Sequence, residues 1–334
     1  MVEIKIEKKN EGGRFDKFLK RHLNSATPGF IYKMLRKKNI TLNDKKASGS
    51  EMLKAGDSVK IFFSDETYRK FTDLRSGRSA LKKLPAGEKS VKPGFPDLEK
   101  LIIYEDENIA LINKPVGMLS QRDSEDSESA NEYFLKYLLS KEDQESVLKD
   151  FNPSVCNRLD RNTSGILIFA KNYNCAKEIA DGLRKRTIKK FYLALCQGHA
   201  KSRHSSSYLL KDADTNKVNI FDKYVEGSSH IETDYTVERY AGDYTLLRIE
   251  LLTGKTHQIR AQLSHDGFPI LGDPKYGNRR VNARLKEEYG ITNQLLHAHE
   301  IIMPEFKGVL NGISGKTFTA QPPETFDRVI GGVY

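Results

Sequence analysis

Residues 157–171 are the stretch that decides the fold, and they read Asn157-Arg158-Leu159-Asp160-Arg161-Asn162-Thr163-Ser164-Gly165-Ile166-Leu167-Ile168-Phe169-Ala170-Lys171. A polar loop runs directly into an apolar run, from Gly165 to Ala170, that is typical of a buried strand. A side chain at the end of such a loop is presented on rigid support. The stretch therefore predicts a buried strand with Asp160 held just before it.

Asp160 is the only carboxylate in a long window, because the neighbouring acids are Asp150 and Glu178. Positive charge on the flanking Arg158 and Arg161 favours the ionised carboxylate, which suits a nucleophile or a base better than a proton donor. Glycoside hydrolysis by the usual route needs two carboxylates at a set separation, and no second one stands nearby. The residues alone leave two roles open for Asp160: a catalytic group, or a turn or capping residue.

The region around this stretch contains strands in mixed order with few helices. Apolar runs bounded by turns, such as 192–195, predict buried strands. Residues 233–251 alternate on both sides of the turn Gly242-Asp243 and predict a hairpin. An amphipathic helix is predicted around residues 176–183. Together these features predict an α+β domain with a mixed, largely antiparallel β-sheet.

A second polar constellation extends from Thr253 to Leu263. Thr256 is predicted to cap a helix whose apolar side includes Ile259, which puts Arg260 on a neighbouring face. From its position alone Arg260 could also be an exposed helix residue. We predict no metal site, because the two nearby histidines lack a third ligand at the spacing of a zinc protease.

The net charge of +10 is unevenly distributed along the chain. Residues 1–97 contain 23 Lys and Arg against 12 Asp and Glu, which leaves 32 against 33 for the rest. An electropositive module joined to a near-neutral body is typical of a nucleic-acid-binding appendage, because neutralising phosphates releases counterions. A lysine-rich surface that only keeps the protein soluble would have the same composition.

Residues 14–37 are predicted to form two short helices. The second is predicted to start with Thr27 as N-cap and Pro28 at the first helical position. Its basic side chains on one exposed side are Lys33, Arg36 and Lys37.

Two basic helices followed by short strands at 40–42 and 59–63 resemble an S4 domain, a small RNA-binding module. The resemblance implies an S4-like α/β RNA-binding domain at residues 1–63, in which Lys33, Arg36 and Lys37 are expected to contact RNA. Residues 64–97 contain Gly, Pro, Ser and Lys without apolar periodicity, so a flexible linker is predicted there. The catalytic domain is then expected at residues 98–334.

Three segments, 113–117, 157–171 and 255–263, resemble the signature segments of the RluA-type pseudouridine synthase family and occur in the family's order. The S4-like module narrows the resemblance to ribosomal large-subunit enzymes of the RluC and RluD kind. It implies the pseudouridine synthase fold and isomerisation of specific uridines to pseudouridine in RNA. The expected substrate is 23S ribosomal RNA or a pre-ribosomal particle, and no cofactor is expected.

Carried over residue by residue, the resemblance implies that Asp160 is the essential aspartate, which attacks either uracil C6 or ribose C1′. Lys190-Phe191-Tyr192 matches the family's basic-x-tyrosine segment. This match implies that Tyr192 stacks on the target base and assists a proton transfer, with Lys190 in the substrate site. Arg260 matches the arginine that pairs with the aspartate.

Further residues are implied to surround the target nucleotide. Leu296 matches the apolar residue that floors the base pocket. A uridine in folded RNA must leave its stack first, and Arg158 is implied to fill the gap with its planar guanidinium. A salt bridge that orders the loop is the alternative role for Arg158. Asn157 stands where many relatives carry histidine, which we expect to alter loop hydrogen bonding and not the reaction.

Two charged segments have simpler explanations beside functional ones. Ser120–Ser129 is polar and acidic, and we interpret it as a mobile loop, with a binding site as the alternative. Part of the substrate preference is expected to lie there. The basic run at 184–190 either complements a helix dipole or contacts phosphate.

Location and assembly are predicted from absent features. No stretch approaches the roughly 20 apolar residues that cross a bilayer, and the N-terminus lacks a signal-peptide core. We therefore expect a cytoplasmic protein without a membrane partner, and a monomer by default. The cysteines fit neither a disulfide framework nor a zinc ribbon.

Two other functions remain to be weighed. A non-catalytic ribosomal RNA-binding or assembly factor could keep this fold, but such a protein has no need of Asp160, Tyr192 and Arg260 together. A nucleoside or glycoside hydrolase is disfavoured by the missing second carboxylate and by the basic N-terminal module.

Overall fold

The structure is a computed structural model that describes residues 1–23, 26–72, 96–123, 127–141, 147, 151–212 and 217–331. The chain divides into two units. The first comprises Met1–Phe95, Tyr137–Ser154 and Ala170–Lys177, and the second comprises Pro96–Lys136, Val155–Phe169 and Glu178–Tyr334. Two segments of the first unit therefore come from the region that the sequence assigned to the catalytic domain.

The first unit contains a four-stranded antiparallel sheet in the order β1-β4-β2-β3. Its strands are β1 (Val2–Lys5), β2 (Ile40–Leu42), β3 (Lys45–Lys46) and β4 (Ser58–Ile61). Its helices before residue 96 are α1 (Phe15–His22), α2 (Pro28–Arg36) and α3 (Asp65–Thr72). Apolar side chains of α1, α2 and the strands share one buried core.

The two predicted helices and the predicted cap are confirmed. Thr27 Oγ1 accepts the backbone N–H of Phe30 at 3.3 Å, and Pro28 is the first residue of α2. This hydroxyl satisfies one of the N–H groups that an α-helix leaves without a partner at its start.

The prediction that the linker begins at residue 64 is wrong for residues 65–72, which form α3. The ring of Phe71 lies 4.3 Å from that of Phe30, and the Tyr68 hydroxyl lies 2.6 Å from His22 Nε2. Tertiary packing thus stabilises a helix whose own sequence gave little signal, because short isolated helices are marginal in water. Residues 73–95 of the predicted linker lie outside the described residues.

The second sheet has eleven strands, with nine in the order β11-β10-β12-β13-β9-β14-β8-β6-β5. β7 pairs with β8, and β15 pairs with β14. The strands are β5 (Ile102–Glu105), β6 (Ile109–Lys114), β7 (Ser154–Val155), β8 (Ser164–Ala170), β9 (Lys189–Gln197), β10 (Arg203–Lys211), β11 (Val218–Phe221), β12 (Ser229–Ala241), β13 (Tyr244–Leu251), β14 (Leu296–Ile302) and β15 (Thr317–Thr319).

The mixed, largely antiparallel sheet that the sequence predicted is confirmed. β14 runs parallel to β8, while the pairs from β11 across to β14 are antiparallel. The remaining helices are α4 (Ala130–Lys141), α5 (Tyr173–Arg184), α6 (Gln258–His265), α7 (Arg279–Tyr289) and α8 (Thr325–Gly331). None of the helices in the described ranges is long and apolar enough to cross a membrane.

β8 is the buried strand predicted after Asp160, and every residue from Ser164 to Ala170 is buried. Gly165 pairs with Ala298 of β14, and a Cβ at Gly165 would lie 2.3 Å from the Ala298 carbonyl oxygen. Its φ of +114° also lies in the region that favours glycine. The glycine therefore allows β8 and β14 to approach beside the Asp160 loop.

Candidate active site

Asp160 lies in the loop that joins β7 to β8 in the second unit. Ser120 fixes the residue before it, because the Ser120 hydroxyl donates to the Leu159 carbonyl and accepts the Leu159 N–H, both at 2.9 Å. Thr163 closes the turn with an N–H that donates to the Asp160 carbonyl at 3.0 Å. The backbone that carries Asp160 is thus held on both sides.

Lys114 is a second support for this loop, and its side chain is fully buried. Its ammonium group donates to the carbonyls of Pro115, Met118 and Arg161 at 3.0, 2.8 and 3.1 Å. Burial lowers the pKa of Lys114 to about 7, against the charge of Asp160, which acts to raise it. Lys114 therefore connects the segment after β6 to the Asp160 loop.

Arg260 joins two carboxylates at the centre of the site. Its Nη1 donates to Asp160 Oδ2 at 2.8 Å, while Nε and Nη2 donate to the two oxygens of Asp273 at 2.7 and 2.9 Å. Burial alone would lower the pKa of Arg260, but the contacts with Asp273 and Asp160 raise it. The bidentate contact fixes the guanidinium plane, so Arg260 meets Asp160 in one orientation.

Asp273 is fully buried, and its partners lower the pKa of its carboxyl although burial acts to raise it. Asp273 Oδ1 also accepts the backbone N–H groups of Lys275 and Tyr276 at 2.8 and 3.0 Å. A side chain with so many donors remains a fixed anion, and it balances the charge of Arg260.

The start of α6 differs from the prediction that Thr256 caps the helix. The N-cap residue is His257, which has a φ of 55° and forms no side-chain capping bond. Gln258 instead ties this end down, because its Oε1 accepts the N–H of Lys255 at 3.1 Å and its Nε2 donates to the Glu232 carbonyl at 3.1 Å. The alternative that Arg260 is an exposed helix residue is also wrong, because only 5% of it is exposed.

His257 lies beside Asp160, with its Nε2 3.9 Å from Asp160 Oδ2. Its Nδ1 lies 3.0 Å from the Tyr276 hydroxyl, which accepts the N–H of Val218. The Tyr276 proton is then available to His257 Nδ1, which leaves Nε2 as the N–H on the side of Asp160. Burial lowers the pKa of His257, so the neutral ring is favoured.

Tyr192 and Leu296 lie on one face of the central strands. Tyr192 of β9 is opposite Ala298 of β14, and Leu296 of β14 is opposite Ala194. Because alternate residues of a strand share a face, Leu296 is the diagonal neighbour of Tyr192. Burial and the charge of Asp160 raise the pKa of Tyr192, so its hydroxyl keeps its proton.

Comparison with known proteins identifies the family of this chain. The profile of the RNA pseudouridylate synthase family matches residues 108–265, a range that includes Asp160, Tyr192 and Arg260. Ribosomal large subunit pseudouridine synthase C of Vibrio parahaemolyticus is 31% identical over 300 residues, which cover 89% of this chain and 87% of the relative. The chain belongs to the RNA pseudouridine synthase family.

Other relatives agree with the RluA-type branch that the sequence predicted, and this prediction is confirmed. Ribosomal large subunit pseudouridine synthase C of Escherichia coli is 30% identical over 301 residues, which cover 88% of this chain and 86% of the relative. Human RNA Pseudouridylate Synthase Domain Containing 4 shares the fold, with a TM-score of 0.56 and 21% identity over 71% of this chain and 94% of the human chain. The predicted enzyme class, an RNA pseudouridine synthase, is confirmed.

The remaining candidate residues of this pseudouridine synthase lie at different depths. Lys190 is half-buried, its Nζ lies near Gly254 in the loop before α6, and burial and the charge of Arg186 lower its pKa. Arg158 is exposed and forms no ion pair with any described residue. The salt bridge considered for Arg158 is therefore absent from the part of the chain that the structure describes.

Asn157 contributes to the loop as the sequence suggested. Its Nδ2 donates to the Ile166 carbonyl at 3.1 Å, and its Oδ1 accepts the N–H of Ile168 at 2.8 Å. Both partners belong to β8, so the Asn157 side chain attaches the loop to the strand, and both of its polar atoms are used in these bonds.

The two charged segments are partly anchored. The Ser120 hydroxyl donates to the Leu159 carbonyl, and Ser129 is fully buried and donates its N–H to Glu132 at 3.0 Å, so both ends of the acidic segment are held by hydrogen bonds. Residues 124–126 lie outside the described residues. In the basic run, Arg184 pairs with Asp181 at 2.7 Å.

The three basic residues proposed to bind RNA lie in the first unit. Lys33, Arg36 and Lys37 are all exposed at the end of α2. None of them forms an ion pair within the described ranges. Their charges are therefore available to an external partner.

Sequence reasoning missed three supporting residues: Asp273, Lys114 and Ser120. Asp273 lies in a short Gly- and Pro-containing segment, which by itself indicates only a turn. Lys114 donates to Arg161, 47 positions away, and Ser120 donates to Leu159, 39 positions away, and no local pattern reports such contacts. A charged residue next to an apolar run, such as Lys114 after β6, could have indicated a buried charge, and a buried charge normally has a partner.

Proposed function

We propose that this RNA pseudouridine synthase converts specific uridines of large-subunit ribosomal RNA, with Asp160 as the nucleophile. The contact between Arg260 and Asp160 carries the proposal, because the buried Arg260 guanidinium orients the partly exposed Asp160 carboxylate. The names of the bacterial relatives, ribosomal large subunit pseudouridine synthase C, support the choice of RNA.

The reaction breaks the N1–C1′ bond of uridine, turns the retained uracil and forms a C5–C1′ bond. N1 gains a proton, and the proton on C5 is released to solvent. Asp160 starts this sequence by attack at uracil C6 or at ribose C1′, and both routes use its ionised carboxylate. Arg260 stabilises the carboxylate each time it leaves the substrate.

Tyr192 and Leu296 form the surface on which the target base rests in this proposal. A flat aromatic ring next to an aliphatic side chain matches a uracil ring. Because the raised pKa keeps the Tyr192 hydroxyl protonated, Tyr192 assists as a hydrogen-bond donor and is a poor base. Lys190 adds a cation near the phosphate of the flipped nucleotide.

Arg158 fills the gap that the flipped uridine leaves. Unstacking a base costs a few kcal/mol, and a planar guanidinium offsets part of that cost by stacking. The exposure of Arg158 and its freedom from ion pairs with described residues support this role.

The basic residues Lys33, Arg36 and Lys37 bind RNA phosphates in an S4-like module. Their contribution is electrostatic, so it depends on salt. We further propose that the protein acts as a monomer in the cytoplasm, where its ribosomal RNA substrate would be found.

The test follows tritium released to water from large-subunit ribosomal RNA transcripts labelled at uracil C5, with transfer RNA as the comparison. Asp160→Asn should abolish release, because the amide is no nucleophile. Asp327→Asn, at an exposed position of α8, is the matched control and should keep full activity.

Release that persists in Asp160→Asn overturns the role of Asp160. Release from transfer RNA alone overturns the ribosomal substrate. If the wild type binds ribosomal RNA tightly and releases no tritium from transcripts or immature particles, the non-catalytic assembly factor becomes the better interpretation.

A further inference from the structure

A groove on the first unit lies next to the basic end of α2. Its volume is about 570 Å³, within the range of about 300–1,000 Å³ typical of small-ligand sites. The residues that line it are Tyr32, Leu35, Arg36, Lys46, Ala47, Ser48 and Glu51. Leu35 and Ala47 are buried and form an apolar floor. Of the residues that line the groove, only Arg36 is among those already assigned to RNA binding, and none belongs to the catalytic site.

The aromatic wall of the groove is fixed in position. Tyr32 is 40% exposed although it is a large ring on a short helix. Its hydroxyl donates to Asp16 Oδ2 at 2.7 Å, and Arg14 holds the same carboxylate with two bonds of 3.1 and 3.0 Å. The ring is therefore held at the surface before any ligand arrives, which lowers the entropy cost of binding.

The positive charges of the groove are not paired within the part of the chain that the structure describes. Arg36 follows Tyr32 by one helical turn and so lies on the same side of α2, and Lys46 comes from β3. Both are exposed, and neither forms an ion pair or side-chain hydrogen bond with any described residue. An anion between them would meet two cations.

Glu51 is the one acid among the lining residues, and its carboxylate is already occupied. It accepts the N–H groups of Ser48 and Gly49 at 2.6 and 2.7 Å and the Ser48 hydroxyl at 2.8 Å. Glu51 thus shapes the groove wall and does not offer a free carboxylate to a cation.

We propose that this groove binds one unstacked nucleotide of a single-stranded RNA segment, with the base on Tyr32 and the adjoining phosphate between Arg36 and Lys46. The site rests on the proposed RNA-binding function and gives it a specific contact. An exposed aromatic ring flanked by cations is the recurring way in which proteins hold unpaired bases. A duplex has no free base face to offer, so the groove should prefer single strands.

The test measures the affinity of the full chain for an oligouridine of about ten nucleotides and for an RNA duplex of equal length, over a range of salt. Tyr32→Ala should weaken single-strand binding about tenfold and leave the salt dependence unchanged, because stacking contributes energy without charge. Tyr32→Phe keeps the ring but loses its bond to Asp16, so it should weaken binding by a few-fold at most, clearly less than Tyr32→Ala. Joint Arg36→Gln and Lys46→Gln should lower the salt slope by about 0.7 for each phosphate that is no longer neutralised.

Tyr224→Ala is the matched control, because Tyr224 is 65% exposed in the second unit, and its affinity should not change. A 5-bromouridine strand should crosslink to Tyr32 on irradiation. The proposal is overturned if Tyr32→Phe weakens binding as much as Tyr32→Ala does. It is also overturned if Tyr32→Ala weakens duplex binding as much as single-strand binding, or if the crosslink maps to a residue outside the groove.

Tritium release separates this proposal from the proposed function. Unchanged oligouridine affinity in Tyr32→Ala, with wild-type release intact, overturns the groove and leaves the isomerase. Oligouridine binding that depends on Tyr32, in a wild type that releases no tritium from any transcript, overturns the isomerase and leaves the groove.

Discussion

The two basic regions of this pseudouridine synthase use positive charge in opposite ways. Arg260 is buried, meets two carboxylates and has one orientation. Lys33 and Lys37 on α2 are exposed and form no ion pair within the described part of the chain. Fixed charge suits chemistry at one atom, whereas free charge suits an RNA backbone whose phosphates vary in position.

The difference also divides stability from binding. Removing a partner from a buried ion pair leaves an uncompensated charge, which is costly. Removing an exposed charge without a partner changes stability little. Variants in the buried network should therefore lower stability, whereas variants at the surface should lower RNA affinity alone. The expected effects decrease from the buried network to the surface.

The largest effect on folding stability is expected from Asp273→Asn. Arg260 would lose its bidentate partner, and breaking such a buried pair costs about 3–5 kcal/mol of folding stability. Activity should fall at least about 100-fold, because Arg260 would no longer be held toward Asp160. Urea unfolding and tritium release measure the two losses.

Asp160→Asn is the matched control for that variant. The Asp160 side chain is 27% exposed, and Arg260 keeps Asp273 in its absence. Activity should vanish while stability stays close to that of the wild type. If Asp160→Asn destabilises the protein more than Asp273→Asn does, the assignment of Asp273 as the fixing partner is incorrect.

Lys114→Met should have the next largest effect. Three carbonyls would lose their donor, and a buried group without a partner costs about 1–3 kcal/mol, although burial of the ammonium group itself opposes this loss. We expect a net loss on the order of 3 kcal/mol and a lower kcat at saturating RNA. Calorimetry and tritium release test both, with exposed Lys286→Met on α7 as the control.

Local patterns were sufficient for much of the fold. The strand after Asp160, the hairpin at 229–251 and the start of α2 all follow from periodicity and capping, which operate over a few residues. α3 was missed because its Phe71 and Tyr68 contact Phe30 and His22, which lie more than thirty residues before the helix starts and which no local pattern connects with it.

The site divides in the same way. The residues carried over from the family segments, Asp160 and Arg260, are 100 positions apart in sequence and 2.8 Å apart in the structure. Their pairing came from the resemblance, since no periodicity reports so distant a contact. Asp273 and Ser120 had no such guide. The expected cap at Thr256 failed because the helix starts later, with His257 as the N-cap residue, and the side chain of Gln258 ties the preceding Lys255 to Glu232 instead of capping the helix.

A smaller effect on stability is expected from pH, through a histidine of β14 that pairs with β8. His297 is fully buried, with Nδ1 2.9 Å from the Ser164 hydroxyl and Nε2 3.0 Å from the Ala320 carbonyl. Burial lowers the pKa of His297 to about 4, whereas an unfolded chain has a histidine pKa of about 6.5. Between these values the unfolded chain binds the extra proton, so stability should fall as the pH is lowered from about 6.5 to 4.

The expected loss is about 2–3 kcal/mol over that window, at 1.36 kcal/mol for each pKa unit. Urea unfolding at several pH values measures it. His297→Asn should show a flatter profile than the wild type. Equal slopes in His297→Asn and the wild type would show that another group dominates the acid response.

The smallest effect is expected from Lys33→Gln and Lys37→Gln on the surface of α2. Each variant should bind ribosomal RNA a few-fold more weakly at low salt and lower the salt slope by about 0.9 per phosphate contact. Stability and kcat at saturating RNA should not change, because neither side chain forms an ion pair with the described part of the fold. Lys286→Gln, an exposed lysine of the second unit, should bind RNA like the wild type. A drop in kcat instead of affinity would mean that α2 positions the target uridine and does not only gather RNA, and the division between fixed and free charge would then fail at this surface.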